Sequence, residues 1–130
     1  MPPLPALSRR IRTRDDARTL FAALATRPIE AVALAFLCPK RRLLGLRHVL
    51  GHTDSVPVPV ARVARDAILF GAGAVLMAHN HPDGNPHPSA ADLALTRRMA
   101  QGLAALDIAL LDHLIFGGDM VVSLRDEGLL

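Results

Sequence analysis

Two apolar runs constrain the fold of this chain more than any other feature. "IEAVALAFLC" (residues 29–38) and "AVLMAHNH" (74–81) are nearly continuous in apolar residues over a strand's length and then stop. They are short for buried helices, and their unbroken apolarity fits strands covered on both faces rather than on one. The first therefore reads as a central strand of a sheet, and the second as another buried strand. A sheet covered on both faces needs helices on each side. With 130 residues, 51% of them hydrophobic, the chain is the size of one domain that can bury such a core.

The remaining segments supply the partners. "TRDDARTLFAALAT" reads as a helix, with Thr13 as cap, acids in the first turn, Leu20, Phe21 and Leu24 on one face and Pro28 as the stop. "PKRR" is a turn, and "LLGLRHVLGH" a strand that pairs with the first as a hairpin. In "PVARVARDAILFGA" the residues Val60, Val63, Ala64 and Ala67 fall on one side of a helix, with Arg62, Arg65 and Asp66 on the other. "PDGNPHP" is too rich in Pro and Gly for regular structure. "SAADLALTRRMAQGLAALD" is a long helix, "IALLDHLIFGGDMVVSL" a hairpin with a glycine turn, and "RDEGLL" closes the chain. The Pro-rich residues 1–10 read as a flexible arm, which leaves 11–130 as the domain. The order α-β-β-α-β-α-β-β predicts an α/β fold, a mixed central sheet flanked by helices.

The single Cys38 excludes an internal disulfide and fits a reducing compartment; in its apolar run it reads as a buried, inert thiol. No segment has the apolar length of a membrane span, and the start does not read as a signal peptide, so the expectation is a soluble cytoplasmic protein without membrane contact. Residues 1–50 hold ten Arg or Lys against three acids, and residues 51–130 five against nine. The basic half is a candidate phosphate contact through Arg9, Arg10, Arg12, Arg14, Arg41 and Arg42, or simply a solvated surface. With no Trp or Tyr and four Phe, the chain lacks the aromatic platform of single-strand binders.

The candidate chemistry lies in "AHNHPDGNPHPSAADLA", where three of the six histidines fall. His79 and His81 are two apart at a strand end, so both imidazoles point the same way, while Asn80 points to the other face. Ser89 and Asp92 have capping-box spacing at the mouth of the helix, and a cap alone would account for them. Two imidazoles and one carboxylate, with a position left for water, are also the donor set of a catalytic zinc site. Zinc lowers the pKa of its water to about 7 and polarises a carbonyl, and such a site wants a carboxylate base. The chain has two Glu, Glu30 and Glu127. Glu30 opens the first central strand, so an adjacent strand order would bring it to His79; taken alone, a glutamate at a strand start reads as a solvated residue.

The pattern Glu…His-x-His-x7-Ser-x2-Asp resembles the JAMM motif of JAB/MPN-domain metalloproteases. "AHNHPDGNPHPSAADLALTRRM" and "LLDHLIFGGDMVVSLRDEGLL" are similar, with their spacing, to the bacterial RadC branch, and the resemblance covers about residues 11–130. It implies a sheet-centred α/β fold similar to cytidine deaminase. It implies Zn2+ on His79, His81 and Asp92, Glu30 as acid/base toward the attacking water, and Ser89 as the group that stabilises the tetrahedral intermediate. It implies hydrolysis of peptide or isopeptide bonds in an unknown protein or peptide substrate, and carries a historical DNA-repair label. The loop departs from the branch at Asp83, where Ser is usual before the Gly, and at His87, which reads as a surface residue or a loose extra metal contact. The helix-hairpin-helix module of longer RadC proteins is not in this sequence, which lowers the expectation of DNA contact. Asp112 and His113 are typical of the branch and have no role here beyond a polar interruption of a strand. The rival readings are a DNA-associated module that grips phosphate through the Arg cluster, and a scaffold without turnover.

Overall fold

A computed structural model describes residues 9–50 and 58–130. The elements follow the order read from the sequence: α1 (Arg14–Phe21), β1 (Ala31–Leu37), β2 (Leu43–Leu50), α2 (Val60–Phe70), β3 (Ala74–Asn80), α3 (Ala90–Ala104), β4 (Ala109–Gly117) and β5 (Met120–Ser123). The first helix is shorter than the pattern suggested. After Phe21 it tightens into a 3₁₀ turn over Ala22–Thr26. Pro28 disfavours the helical conformation at the residue before it, and Arg27 is extended (φ −75°, ψ 134°). Thr13 caps α1 as expected, in a capping box with Asp16.

The strands form one mixed sheet in the order β2-β1-β3-β4-β5. β1 is antiparallel to both β2 and β3, β3 and β4 are parallel across the α3 crossover, and β4 and β5 form an antiparallel hairpin. Gly118, at φ +58°, makes the tight turn of that hairpin. β1 and β3 are buried along their whole length, as their apolar runs require. Alternate residues serve opposite layers. Ala31, Ala33, Ala35 and Leu37 pack with Phe21 and Leu24 on the α1 side. Val32, Leu34 and Phe36 pack with Val63, Ala67, Met99 and Leu103 of α2 and α3.

One irregularity matters for the site. The β3–β4 register runs Val75↔Leu110 and then Leu76↔Asp112, which leaves Leu111 as the extra residue of a bulge. A bulge shifts the pleat by one residue. Leu110 and His113, rather than Leu110 and Asp112, therefore share the α3 side of the sheet. Asp112 pins the bulge. Its Oδ1 accepts from the backbone N–H of His113 (2.7 Å) and of Arg125 (3.1 Å), and its Oδ2 accepts from the Ser123 hydroxyl (2.5 Å). The Arg125 guanidinium donates to the carbonyls of Leu110 and Leu111 on either side of the kink.

Three expectations need correction. Of the arm expected over residues 1–10, residues 1–8 lie outside the described residues. Arg9 and Arg10 are not free: the Leu43 N–H donates to the Arg9 carbonyl (2.7 Å), the Ile11 N–H to the Arg41 carbonyl (2.8 Å), and Arg10 bridges Arg42. Cys38 is only half-buried, because it lies past the end of β1 and turns back to accept from the Arg42 N–H. Asp66, placed on the polar face of α2, is 8% exposed. Arg47 of β2 reaches over it (Nε to Oδ2 3.4 Å) and lies against the Phe70 ring, so a neighbouring strand, invisible in helical periodicity, covers it.

Candidate metal centre

The site is built at the carboxyl ends of the parallel strands, where ligand sites of open α/β sheets usually lie. β3 ends in His79-Asn80 and runs on into His81, whose N–H still pairs with the Phe116 carbonyl of β4 (2.7 Å). Strand alternation puts His79 and His81 on the α3 side and Asn80 on the α1 side. Val32 of β1 is the partner of His79. Glu30, two residues before Val32, shares its face, and its Oε1 stands 3.9 Å from His79 Nε2.

The loop over residues 81–88 then carries the chain to α3. Asp83 folds it with an acceptor bond from the Asn85 N–H (2.9 Å), and Asn85 Oδ1 accepts from the His87 N–H (3.1 Å). Gly117 lets the loop pass over the end of β4, for a Cβ there would lie 2.5 Å from Pro86 N. At the start of α3, Ser89 and Asp92 do form the capping box. The Asp92 N–H donates to Ser89 Oγ (3.0 Å), and the Ser89 N–H donates to Asp92 Oδ2 (2.8 Å). The same carboxylate reaches the histidines, with Oδ2 3.0 Å from His81 Nε2 and Oδ1 3.3 Å from His79 Nε2. Cap and candidate ligand are one group, not alternatives.

His79 Nε2 and His81 Nε2 are 2.8 Å apart. His81 Nδ1 lies 2.7 Å from the Asn85 carbonyl; a carbonyl only accepts, so Nδ1 carries the proton and, in the neutral ring, the Nε2 lone pair faces the cluster. Among the described residues, Glu30, His79, His81 and Asp92 are the ligand side chains that converge, with atoms within 4.8 Å of one another, and they could hold a metal ion. The donor set fits one. Separations of 2.8–3.3 Å among the histidine and aspartate atoms approach the edge of about 3.3 Å of a tetrahedron with 2.0–2.1 Å bonds. His79 is buried, while Glu30, His81 and Asp92 are partly exposed, so the centre is open to solvent.

The charges respond to one another. Burial opposes the charge of Asp92, yet the imidazoles of His79 and His81 hold its carboxyl well below the usual carboxylate range. The bond to Asp92 raises the His81 pKa against its burial. Burial raises the Glu30 carboxyl above its ordinary value, although His79 and His81 pull it down.

Sequence reasoning missed the groups behind these. Asn80, 2% exposed, accepts from the Ala31 N–H (2.7 Å) and donates to the Arg27 and Ile29 carbonyls (3.2 Å each). It clamps the segment that carries Glu30. His113, fully buried, sits behind His79, with His79 Nδ1 2.6 Å from His113 Nε2 and Thr96 Oγ1 2.7 Å from His113 Nδ1. Burial and the neighbouring His79 push the His113 pKa down to about 3, so its ring is neutral. The pair Asp112-His113 is the only sequence signal for this layer, and without the bulge its direction cannot be read. His87 is exposed and outside the cluster. The Arg-rich cluster lies at the other end of the sheet, around the Arg9–Ile11 and Arg41–Leu43 contacts.

A mixed sheet that presents two histidines, an aspartate and a glutamate beyond its parallel strands defines an α/β domain with a candidate metal centre. Residues 11–129 match the RadC-like JAB domain, and the chain belongs to that family. It is 40% identical over 117 residues to a UPF0758 protein of Bordetella avium, covering 87% of this chain and 51% of that one. It is 40% identical to a UPF0758 protein of Marinobacter nauticus (89% and 52%), and 43% identical over 110 residues to one of Acidithiobacillus ferrooxidans (84% and 49%). The chain thus spans about half the length of the curated relatives it matches. No described helix is long and apolar enough to cross a membrane.

Proposed function

We propose that this domain is a zinc-dependent hydrolase of amide bonds in a protein or peptide, of the JAMM type. The observation that carries the proposal is the Glu30 carboxylate, 3.9 Å from His79 Nε2 and beside a His/His/Asp donor set. His79, His81 and Asp92 would hold the ion, and two imidazoles with one carboxylate favour zinc over the hard cations, which prefer oxygen-only sites. Zinc in such a set lowers the pKa of a water and polarises a carbonyl.

The chain's own residues supply the proton chemistry. Glu30, whose carboxyl burial has made more basic, takes a proton from the attacking water and returns it to the leaving amine. The Ser89 oxygen accepts from Asp92 N–H, which leaves its hydroxyl hydrogen to donate to the oxyanion of the substrate. Elemental analysis of protein prepared without chelator should find about one zinc per chain, lost in His79→Ala and His81→Ala. Glu30→Gln should keep the zinc and lose hydrolysis of peptide or isopeptide substrates. Absence of bound transition metal overturns the reading; wild-type turnover in Glu30→Gln removes Glu30 as the base; bound zinc without turnover on any such substrate favours the scaffold reading.

The Arg10–Arg42 bridge, which brings the Arg9–Arg10 and Arg41–Arg42 segments side by side, supports a second proposal, weak non-specific contact with nucleic acid through the cluster Arg9, Arg10, Arg12, Arg14, Arg41 and Arg42, of which Arg14 is already paired with Asp126. Such binding falls steeply with salt, and an anisotropy titration with no binding at low salt excludes it.

A further inference from the structure

Three hydrogen bonds, the first two of them buried, lead away from His79, and their direction can be worked out from the far end. Thr96, 1% exposed on α3, has its hydroxyl 2.7 Å from the Asp92 carbonyl oxygen and 2.7 Å from His113 Nδ1. A hydroxyl has one hydrogen, and a carbonyl oxygen has none. The Thr96 hydrogen therefore goes to the Asp92 carbonyl, and His113 Nδ1–H must donate to Thr96 Oγ1. The neutral His113 ring then has its lone pair on Nε2, 2.6 Å from His79 Nδ1. That contact is a hydrogen bond only if His79 Nδ1 bears the proton, which leaves the His79 Nε2 lone pair facing His81 and Asp92.

We infer that the chain Thr96–His113–His79 is a tautomer lock that holds His79 ready as an Nε2 metal ligand, with His113 and Thr96 as positioning residues. The Asn85 carbonyl does the same for His81. Both imidazoles thus present unprotonated Nε2 atoms beside the Asp92 carboxylate, an arrangement of acceptors that only a proton or a cation can neutralise. The chain is closed as well, because it ends on the backbone carbonyl of Asp92 itself. Helix α3 and strand β4 therefore set the orientation of His79 and the position of Asp92 through the same contact. Asp112, by pinning the bulge, turns His113 to the α3 side and makes the lock possible. Partners behind a metal-bound histidine fix its tautomer and typically contribute 10–100-fold to metal affinity.

The inference rests on the metal-centre reading above, but one arm of its test does not need the metal. In chelated wild-type protein at about pH 8, long-range 1H–15N correlation of the imidazoles should show His79 protonated on Nδ1 and not on Nε2. Thr96→Val removes the hydroxyl at nearly constant volume and should release that preference, whereas Thr96→Ser should restore it. A merely structural role for Thr96 would lower the melting temperature without moving the tautomer. Competition with a chelator of known affinity should show Zn2+ binding weakened roughly 10–100-fold in Thr96→Val and His113→Phe, and recovered in Thr96→Ser. If His113→Phe fails to fold, Thr96→Val and the wild-type spectrum decide. A wild-type His79 protonated on Nε2, or unchanged zinc affinity in a folded Thr96→Val, overturns the lock. If the wild type binds no zinc, the metal reading fails, and the Nδ1 or Nε2 proton of His79 still upholds or refutes the lock.

Discussion

Replacing Asn80 by alanine removes three hydrogen bonds and leaves every candidate metal ligand in place. Of the three groups that lose a partner, the Ala31 N–H lies in a residue with no exposure. An unsatisfied buried donor costs about 1–3 kcal/mol. Arg27 and Ile29 are exposed residues, so their carbonyls can turn to water, and each lost bond costs only about 0.5–1 kcal/mol. The sum is roughly 2–5 kcal/mol. For a chain of this size that lowers the melting temperature by roughly 7–18 °C. The same change frees the segment between the 3₁₀ turn and β1, and Glu30 loses its fixed distance to His79. The measurements are thermal unfolding in chelator, zinc content by elemental analysis, and hydrolysis under zinc saturation. Asn80→Ala should unfold earlier, keep about one zinc, and turn over roughly 10–100-fold more slowly, the scale of loss that a misplacement of about 1 Å brings. A stability loss under about 0.5 kcal/mol, or loss of zinc before loss of turnover, would refute the assignment of Asn80 to the Glu30 segment.

Gly117→Ala drives a Cβ to within 2.5–2.8 Å of the Asn85–Pro86 backbone; it should cost about 1–3 kcal/mol and weaken zinc binding by displacing the carbonyl that His81 uses, as chelator competition would show. Asp92→Asn and Asp92→Glu both keep an oxygen for the cap, so their melting temperatures in chelator should stay near wild type while zinc is lost, and full zinc occupancy in both would leave Asp92 as a cap only. His113 takes a proton near pH 6.5 when unfolded but only near pH 3 when folded, so its contribution to stability is complete above about pH 6.5 and falls as pH drops toward 3, by up to about 1.4 kcal/mol per pH unit. His81, whose pKa is raised, acts with the opposite sign, so the test compares chelated wild type with His113→Gln, which should show a shallower loss of stability between pH 6 and 4 in denaturant titrations.

What the sequence revealed, and what it hid, follows the range of the interactions. β1 and β3 were legible because burial on both faces writes itself as a local apolar run. The helix caps at Thr13 and Ser89 were legible because a capping box spans three residues. Strand alternation told that Asn80 points away from His79 and His81, but not that it meets backbone groups of Arg27, Ile29 and Ala31, about fifty positions earlier. Glu30 came into view as one of two glutamates, at the start of the first central strand, but the strand order that brings it to His79 is written in no local pattern. The role of His113 was hidden by the bulge at Leu111, since "LLDH" alternates equally well in either register until Asp112 finds Ser123 and Arg125. Asp66 looked solvated because helical periodicity knows nothing of Arg47 on the next strand.

The double use of the Asp92 carboxylate has a consequence for motion. Its Oδ2 holds the Ser89 N–H at the start of α3 and also faces His81, so fraying of the first helical turn withdraws a candidate ligand, and a cation bound there would resist that fraying. The two events share one equilibrium. Opening of the turn is suppressed by the factor 1 + [L]/Kd for whichever cation occupies the cluster. Amide hydrogen exchange at Ser89 and Asp92 should therefore slow in proportion to free zinc once it exceeds Kd, while amides that open locally without breaking the cluster keep their rate. The first turn of α3 thus doubles as a gauge of occupancy, built into the backbone rather than into a separate sensor.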